Sequence, residues 1–418
     1  MTVYTPTYRV TIAGTVQTTE IISGGTITYG RNDFFEATQP SYCNIELLNL
    51  DGASPVLNLD GASPVVELLD PVIIEVTNSA GTYVKLFTGE VSGVYNRLEA
   101  AGANGKPNTL QIQAIGALGL LVKRTAGAIS YPEELDGARI QRILEETLFI
   151  AWEDLSNTQT WDDFTTETWA NYGVQGIDTI DPGRYEVLAR TAEIQQAYIL
   201  TDETQQSGLG YLYDTTDFEI GYADAERRIT NYSDNLIELD ANLANADIQT
   251  RLQTADIVNS VVIQYDDPIL EEAAQNDSSI NDYGLLQEIR NTILAQQIDA
   301  QEQAVNFVNF RGTPRTSLEE VSVNLANDAM TNTVRDDLLA VSMDTLLYVD
   351  NIPVGLISSG FFEGFVEGWT WTLGRRNLEL TMSVSNSIYS TLDVQWEDYN
   401  PLTQWQNLDN TTMWLDVI

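Results

Sequence analysis

The 418 residues carry 61 acids against 20 basic side chains and no histidine, a formal charge of −41. Without histidine there is no Ser-His-Asp or Cys-His nucleophile pair, and the single Cys43 can build neither a zinc site nor a disulfide framework. A surface this negative repels phosphate backbones, which excludes a conventional nucleic-acid binder but not a surface past which DNA slides without sticking.

The length predicts about two to four domains. Hydrophobic residues make up 43% of the chain, enough for real cores rather than an acidic disordered tail. The start, Met1-Thr-Val-Tyr-Thr-Pro6, has no basic or apolar leader region, so no secretory signal is expected. The most apolar windows, such as 114–122, are too short to span a bilayer. Charge is uneven: residues 143–183 hold nine acids and no Lys or Arg, and six acids but no base follow Arg376. Such stretches read either as solvated loops or as a face turned toward a polyanion that must not adhere.

Residues 1–125 read as strands and turns. Tyr8–Ile12, Thr26–Tyr29, Cys43–Leu47, Val72–Val76, Tyr83–Phe87 and Leu110–Ala114 alternate apolar and polar; Asn78–Gly81 marks a hairpin turn, and Gly89 is expected to end a strand that resumes at Val91 and Val94. The nine residues Leu48–Val56 are repeated at Leu57–Val65. Two copies without a Gly-rich pattern are too few for a calcium-binding β-roll, so they read as a duplicated loop insertion.

Residues 126–245 read as an α+β unit. Ile140, Ile143, Leu144 and Leu148 share a helical face, a second helix is expected from Asp181-Pro182 with Tyr185, Leu188, Ala189 and Ala192 along it, and Gly210–Ile220 reads as a hairpin. From about 246, strands return at Ile257–Tyr265, Val321–Leu325, Leu346–Val349, Ile352–Leu356, Phe361–Val366, Trp369–Leu373 and Leu378–Val384, with a long helix expected over Leu285–Phe310. The predicted fold class is α+β, mostly β. The predicted boundaries are 1–125, 126–245, 246–390 and an acidic, Trp-rich arm at 391–418.

Carboxylates are the only abundant functional groups. The adjacent pairs Asp162-Asp163, Asp266-Asp267 and Glu271-Glu272 could serve glycoside hydrolysis, but pairs of this kind arise by chance in so acidic a chain. Asp214–Glu219 could hold an ion or form a plain hairpin turn; no EF-hand loop, phosphate loop or dinucleotide fingerprint occurs. No catalytic residue, metal or cofactor is expected. Trp152, Trp161 and Trp169 are spaced as anchors of short repeated loop-strand units, each with one buried indole. Trp396, Trp405 and Trp414, nine residues apart, read instead as an arm that docks on a neighbour.

The order of several short pieces resembles phage minor tail proteins of the baseplate or tail-tip hub type. They are Tyr29–Phe35, Leu86–Val91, Ile112–Gly116, Tyr131-Pro132 with Gly137–Ile140, the hairpin ending in Arg227-Arg228, Ile257–Val261, Ser279–Gly284 and Phe365–Trp371. The Trp-Asp-Asp style repeats fit as well, whereas the tandem insert at 48–65 departs from the pattern. The resemblance implies two related antiparallel β-barrels with an α+β insertion between them. It implies a homotrimer that matches a hexameric tail tube, with the tube or distal tail protein on one side and a tip, spike or fibre protein on the other. The chain would be made in a host bacterial cytoplasm, reside in the virion tail tip, insert into no membrane, and let DNA pass without specific binding through a channel lined by carboxylates. Two other classes fit the composition: a carbohydrate- or receptor-binding tail protein, and a carboxylate-based cell-wall hydrolase.

Overall fold

The computed structural model describes residues 4–17, 22–34, 36–48, 66–97, 109–148, 176–230, 235–244, 248–266, 268–318 and 320–389. Seven strands open the chain: β1 (Tyr8–Ile12), β2 (Thr15–Gln17), β3 (Ile22–Gly30), β4 (Gln39–Leu48), β5 (Pro71–Thr77), β6 (Tyr83–Arg97) and β7 (Thr109–Ile115). They pair antiparallel in the order β3-β4-β7-β6-β5-β1-β2. The period-two alternation buries Val10, Ile12, Ile27, Ile45, Ile74 and Ile112 on one face. Each such side chain contributes about 1.5–3 kcal/mol on leaving water. Asn78 closes the β5–β6 turn, its side-chain oxygen accepting from the N–H groups of Ala80 and Thr82 at 3.0 and 2.9 Å. Contrary to expectation, Gly89 does not end a strand. It lies inside β6, where a Cβ would stand 2.5 Å from the Ile115 carbonyl oxygen, so the glycine marks a close backbone approach.

The helix Asp136–Leu148 forms where its apolar spacing predicts, with Ile140, Ile143, Leu144 and Leu148 buried. The helix expected from Asp181 does not form. The Tyr185 carbonyl accepts from Asp136 N–H and Tyr185 N–H donates to the Asp136 carboxylate, both at 2.9 Å, the pair Glu186-Val187 ladders with Glu134-Leu135, and Leu188 N–H donates to the Ile293 carbonyl at 2.8 Å. The backbone groups a helix would need are thus committed to neighbours, and the helix stands at Ala197–Gly208. The hairpin that follows is as read: Tyr211–Asp214 pairs antiparallel with Glu219–Ala223, and Gly176–Ile180 adds in parallel. These elements share a core of Leu118, Tyr131, Ile140, Leu144, Leu200 and Tyr222, among others.

A third unit comprises Ser260–Tyr265 flanked by Leu270–Gln275 and Gln287–Asn291. One face is covered by the helix Gln297–Arg311, which buries Ala300, Ala304, Phe307 and Val308. The helix predicted over 285–310 therefore forms only from Gln297, and Gln287–Asn291 within that span is a strand. Residues 287–291 pair in parallel with 260–264, so strand pairing overrides the polar helical spacing there.

The remaining strands join the first sheet. Phe362–Gly374 is one long strand with a register shift between Val366 and Gly368, not the two strands expected. Leu378–Asn386 pairs along it on one side; on the other, Leu346–Asp350 pairs with its first half and β3 with its second. The stretch Ile352–Leu356 is a turn, with Ile352 N–H donating to Gly360 at 2.9 Å and Leu356 N–H to Pro353 at 2.7 Å. Leu236–Asp240 adds in parallel to Leu346–Asp350, so the sheet is mixed rather than purely antiparallel. Residues from both ends of the chain, Ile27 and Tyr29 with Trp369, Trp371 and Leu380, bury into one core. Among the described residues the twelve-stranded ladder is an open path, with β2 at one end and Leu236–Asp240 at the other. No described helix is long and apolar enough to cross a membrane.

Candidate functional site: the outer face of the continuous sheet and its ionic junction

Register fixes what the sheet presents on the side away from the core. One row runs Ser322, Thr381, Thr370, Thr28, Tyr42, Ile115 and Glu90 across six successive pairings; the next runs Asn324, Glu379, Thr372, Thr26, Asn44 and Gln113. All of these side chains are exposed or half-buried, while their strand neighbours Ile27, Cys43, Trp369, Trp371, Leu380 and Met382 are buried. Cross-strand hydrogen bonds tie the face together. The Thr28 and Thr370 hydroxyls lie 3.2 Å apart, Gln111 donates to Asn44 at 2.9 Å, Ser322 donates to Glu379 at 3.1 Å and Thr381 to Ser322 at 3.1 Å. The two rows hold hydroxyls, amides and two carboxylates, and no Lys or Arg. The central face is therefore lined mainly by neutral polar groups. Partial burial raises the Glu90 carboxyl, an effect Arg124 opposes.

Behind this face sits an ionic junction. The register shift in Phe362–Gly374 turns Glu367 inward, where it is fully buried. Arg31 donates to one carboxylate oxygen at 2.8 Å and Arg228 to the other at 2.6 Å, and the Ser385 hydroxyl donates as well. Burial by itself would raise the Glu367 carboxyl; Arg228 and Arg31 outweigh it and hold the pKa at about 2. Arg228 also donates to the Met343 carbonyl at 2.8 Å and to that of Val366 at 3.1 Å. Its guanidinium lies between the Tyr211 and Phe365 rings, 4.7 and 4.9 Å from their centroids. Arg228 stands at the end of the inserted α+β elements, Arg31 follows β3, and Glu367 belongs to the late strand. The junction therefore binds three distant parts of the chain.

Two further buried carboxylates pin the inserted elements. Asp214 accepts from the N–H and hydroxyl of Ser41 at 2.8 and 2.7 Å and from Leu118 N–H at 2.7 Å. Burial raises it to about 6 against those stabilising bonds. Asp136 accepts from the Tyr222 hydroxyl and from Tyr185 N–H, and burial raises it to about 7. The Asp214–Glu219 segment is a hairpin turn. Asp214 is spent on Ser41 and Leu118, and Asp217 pairs with Lys85. Of the acid pairs, Glu271 accepts from Gln264 and Glu272 from Gln297. Among the described residues no group of three or more acids or cysteines is gathered to hold a metal ion. Trp396, Trp405 and Trp414, Trp152, Trp161 and Trp169, Asp162-Asp163, Asp267 and most of the 48–65 repeat lie outside the described residues.

Sequence reasoning missed the junction, although Arg227-Arg228 and the Gly-flanked Glu in Val366-Glu367-Gly368 were visible. A glutamate inside an apolar run was the available signal.

No family model matches the chain, and no curated protein matches it in sequence. Solved structures do. The 43 kDa tail protein of prophage MuSo2 from Shewanella oneidensis superposes with a TM-score of 0.55 at 11% identity, over 92% of this chain and 99% of its own. A tail protein from Neisseria meningitidis MC58 superposes with a TM-score of 0.57 at 11% identity, over 93% of this chain and 98% of its own. The resemblance to phage tail proteins read from the order of the sequence pieces is thus met at the level of fold: the chain is built, nearly end to end, as these two tail proteins are.

Proposed function

We propose that the chain is a structural, non-catalytic component of a phage tail: a homotrimeric hub that joins a hexameric tail tube to the tip or spike, around the exit path of DNA. The observation that carries this reading is the likeness of fold to two phage tail proteins over nine-tenths of the chain and nearly the whole of each relative. In this reading 1–125 and 246–390 form the two tube-like barrels, 126–245 is the insertion, and 391–418 is an arm whose Trp396, Trp405 and Trp414 dock a neighbouring tail protein. The sheet face that carries Thr26, Thr28, Thr370 and Thr372 fits a channel wall for a polyanion. Its two rows offer DNA hydroxyls, amides and the carboxylates of Glu90 and Glu379 but no cation, so passage along them meets no counter-charge to bind.

Electron microscopy of the purified chain at high concentration, classified without imposed symmetry, tests the hub. Threefold rings with a central hole are expected; a filled trimer without a channel overturns it. Truncation after residue 391 is expected to leave a folded trimer that no longer joins its partner. An unfolded truncate would instead place the three tryptophans in the subunit core.

A further inference from the structure

In a chain with three acids for every base, a guanidinium finds a carboxylate easily. Every other arginine whose side chain is described is ion-paired to a carboxylate or hydrogen-bonded to a backbone carbonyl. Arg375 and Arg376 are different. They stand side by side in the turn between Phe362–Gly374 and Leu378–Asn386, both exposed, and among the described residues neither has such a partner. The nearest acid in sequence, Glu379, accepts from Ser322 at 3.1 Å instead. The backbone of the turn is nonetheless held. Gly374 N–H donates to the Asn377 carbonyl at 2.9 Å, and the hydroxyl of buried Tyr8 donates to the same oxygen at 2.7 Å. Two cations with unspent donors thus stand on a fixed base, and the backbone needs no further ordering to receive an anion.

The place of the turn narrows what that anion is. Gly374 pairs with Gly24, directly beyond the Thr372–Thr26 pair of the polar rows, so the turn closes one end of the sheet. The free edges of the ladder are β2 and Leu236–Asp240, so the turn is on neither edge through which a second copy would extend it. The other end of the same strand has different chemistry, since residues 351–362 contain no charged side chain. The cations therefore address one end of the sheet only. A guanidinium fork matches a carboxylate or a phosphate. DNA carries one charge per ~1.7 Å and would lay further phosphates against a chain of charge −41, whereas a protein can gather its carboxylates at the contact alone. We propose that Arg375 and Arg376 are a docking point for carboxylates of a different tail protein stacked on this end of the sheet. The partner's identity as a tail protein rests on the functional reading above.

Photo-cross-linking in assembled phage tails tests the contact. A benzophenone amino acid replaces Arg375, with Arg376 left in place. The expected product joins position 375 to another tail protein, within a stretch that carries Asp or Glu. A product with a second copy of this chain or with DNA, or no product, overturns the proposal. A second arm leaves the cross-linker out. Arg375→Glu with Arg376→Glu should lower the yield of joined tails about tenfold, while the purified variant keeps the wild-type urea midpoint. Arg375→Lys with Arg376→Lys should lose less than the Glu pair, because the charge stays and only the fork is gone. Tails joined at the wild-type yield by the Glu pair would overturn the proposal, and so would a lowered urea midpoint, which would make the turn a support of the fold. Neither arm reads ring symmetry, so failure of the hub and failure of this contact are separate results; a chain absent from the tails would overturn both.

Discussion

Glu367 is the residue on which the most structure converges, and its worth is set by what it neutralises. Two guanidiniums, Arg31 at 7% exposure and Arg228 at 3%, point at one carboxylate. Removing a buried partner costs more than the pair itself contributes, because the remaining charge stays desolvated. Glu367→Gln should therefore destabilise the fold by about 3–5 kcal/mol. Urea midpoints for Glu367→Gln at neutral pH check this, and a loss below 1 kcal/mol would mean that the arginines find other partners. The pH signature separates this residue from the other buried acids. The folded pKa of Glu367, about 2, lies below the ordinary 4.5, so its stabilisation is present above that value and is lost as pH falls toward 2. Asp136 and Asp214 act in the opposite sense. Their folded pKa values, about 7 and about 6, lie above the ordinary 3.8, so the protonated forms favour the fold and that contribution is lost as pH rises through 6 and 7. Unfolding midpoints should accordingly rise on going from pH 7.5 to 5.5. In Asp136→Asn with Asp214→Asn that rise should flatten by a few kcal/mol, and an unchanged slope would rule these two acids out as its source.

At the scale of elements, the bulge that turns Glu367 inward depends on its neighbours having no side chain. Gly30 has φ +82° and a Cβ there would stand 2.3 Å from the Glu367 carbonyl oxygen; Gly368 meets the Arg31 carbonyl oxygen at 2.4 Å. Gly30→Ala thus adds left-handed backbone strain, ~1–3 kcal/mol, to a backbone overlap of similar cost. We expect a loss of about 2–5 kcal/mol with an unchanged denaturant slope, read from urea titration. Much of the element pattern was legible in the sequence. Strands such as Tyr8–Ile12 and Leu378–Val384 stand within a residue or two of their alternation, because each has one buried and one wet face. The misreadings share a cause. Tyr185 to Ala192 and Leu285 to Asn291 carry helical spacing, but their backbone groups are taken by strands and bridges far away in sequence: Glu134-Leu135, Ile293 and Ser260–Gln264. Local pattern holds no information about such partners. The junction was hidden for the same reason, since 336 residues separate Arg31 from Glu367.

On the scale of the whole molecule, the two ends of the chain meet in one sheet through β3 and Phe362–Gly374, and this produces a face no single segment owns. Its polar rows alternate with a core shared by both ends, so the face and the stability of the subunit cannot be varied independently by changing a strand's register. They can be varied by substitution on the exposed side, where Thr28 and Thr370 already stand opposite each other. Replacing both with Lys keeps the strand alternation and the core. In the hub reading it places a pair of cations in the channel of every copy, against a wall that otherwise has none in these rows. Each phosphate contact so created adds close to one unit to the salt dependence of DNA binding. Phage carrying Thr28→Lys with Thr370→Lys should assemble tails normally and eject DNA several-fold more slowly at low salt, with the defect relieved as salt is raised. The same pair changed to Gln should eject at the wild-type rate. Unchanged ejection with the Lys pair, in tails that assemble, would turn this face away from the channel and assign the basic-free surface to an outer wall.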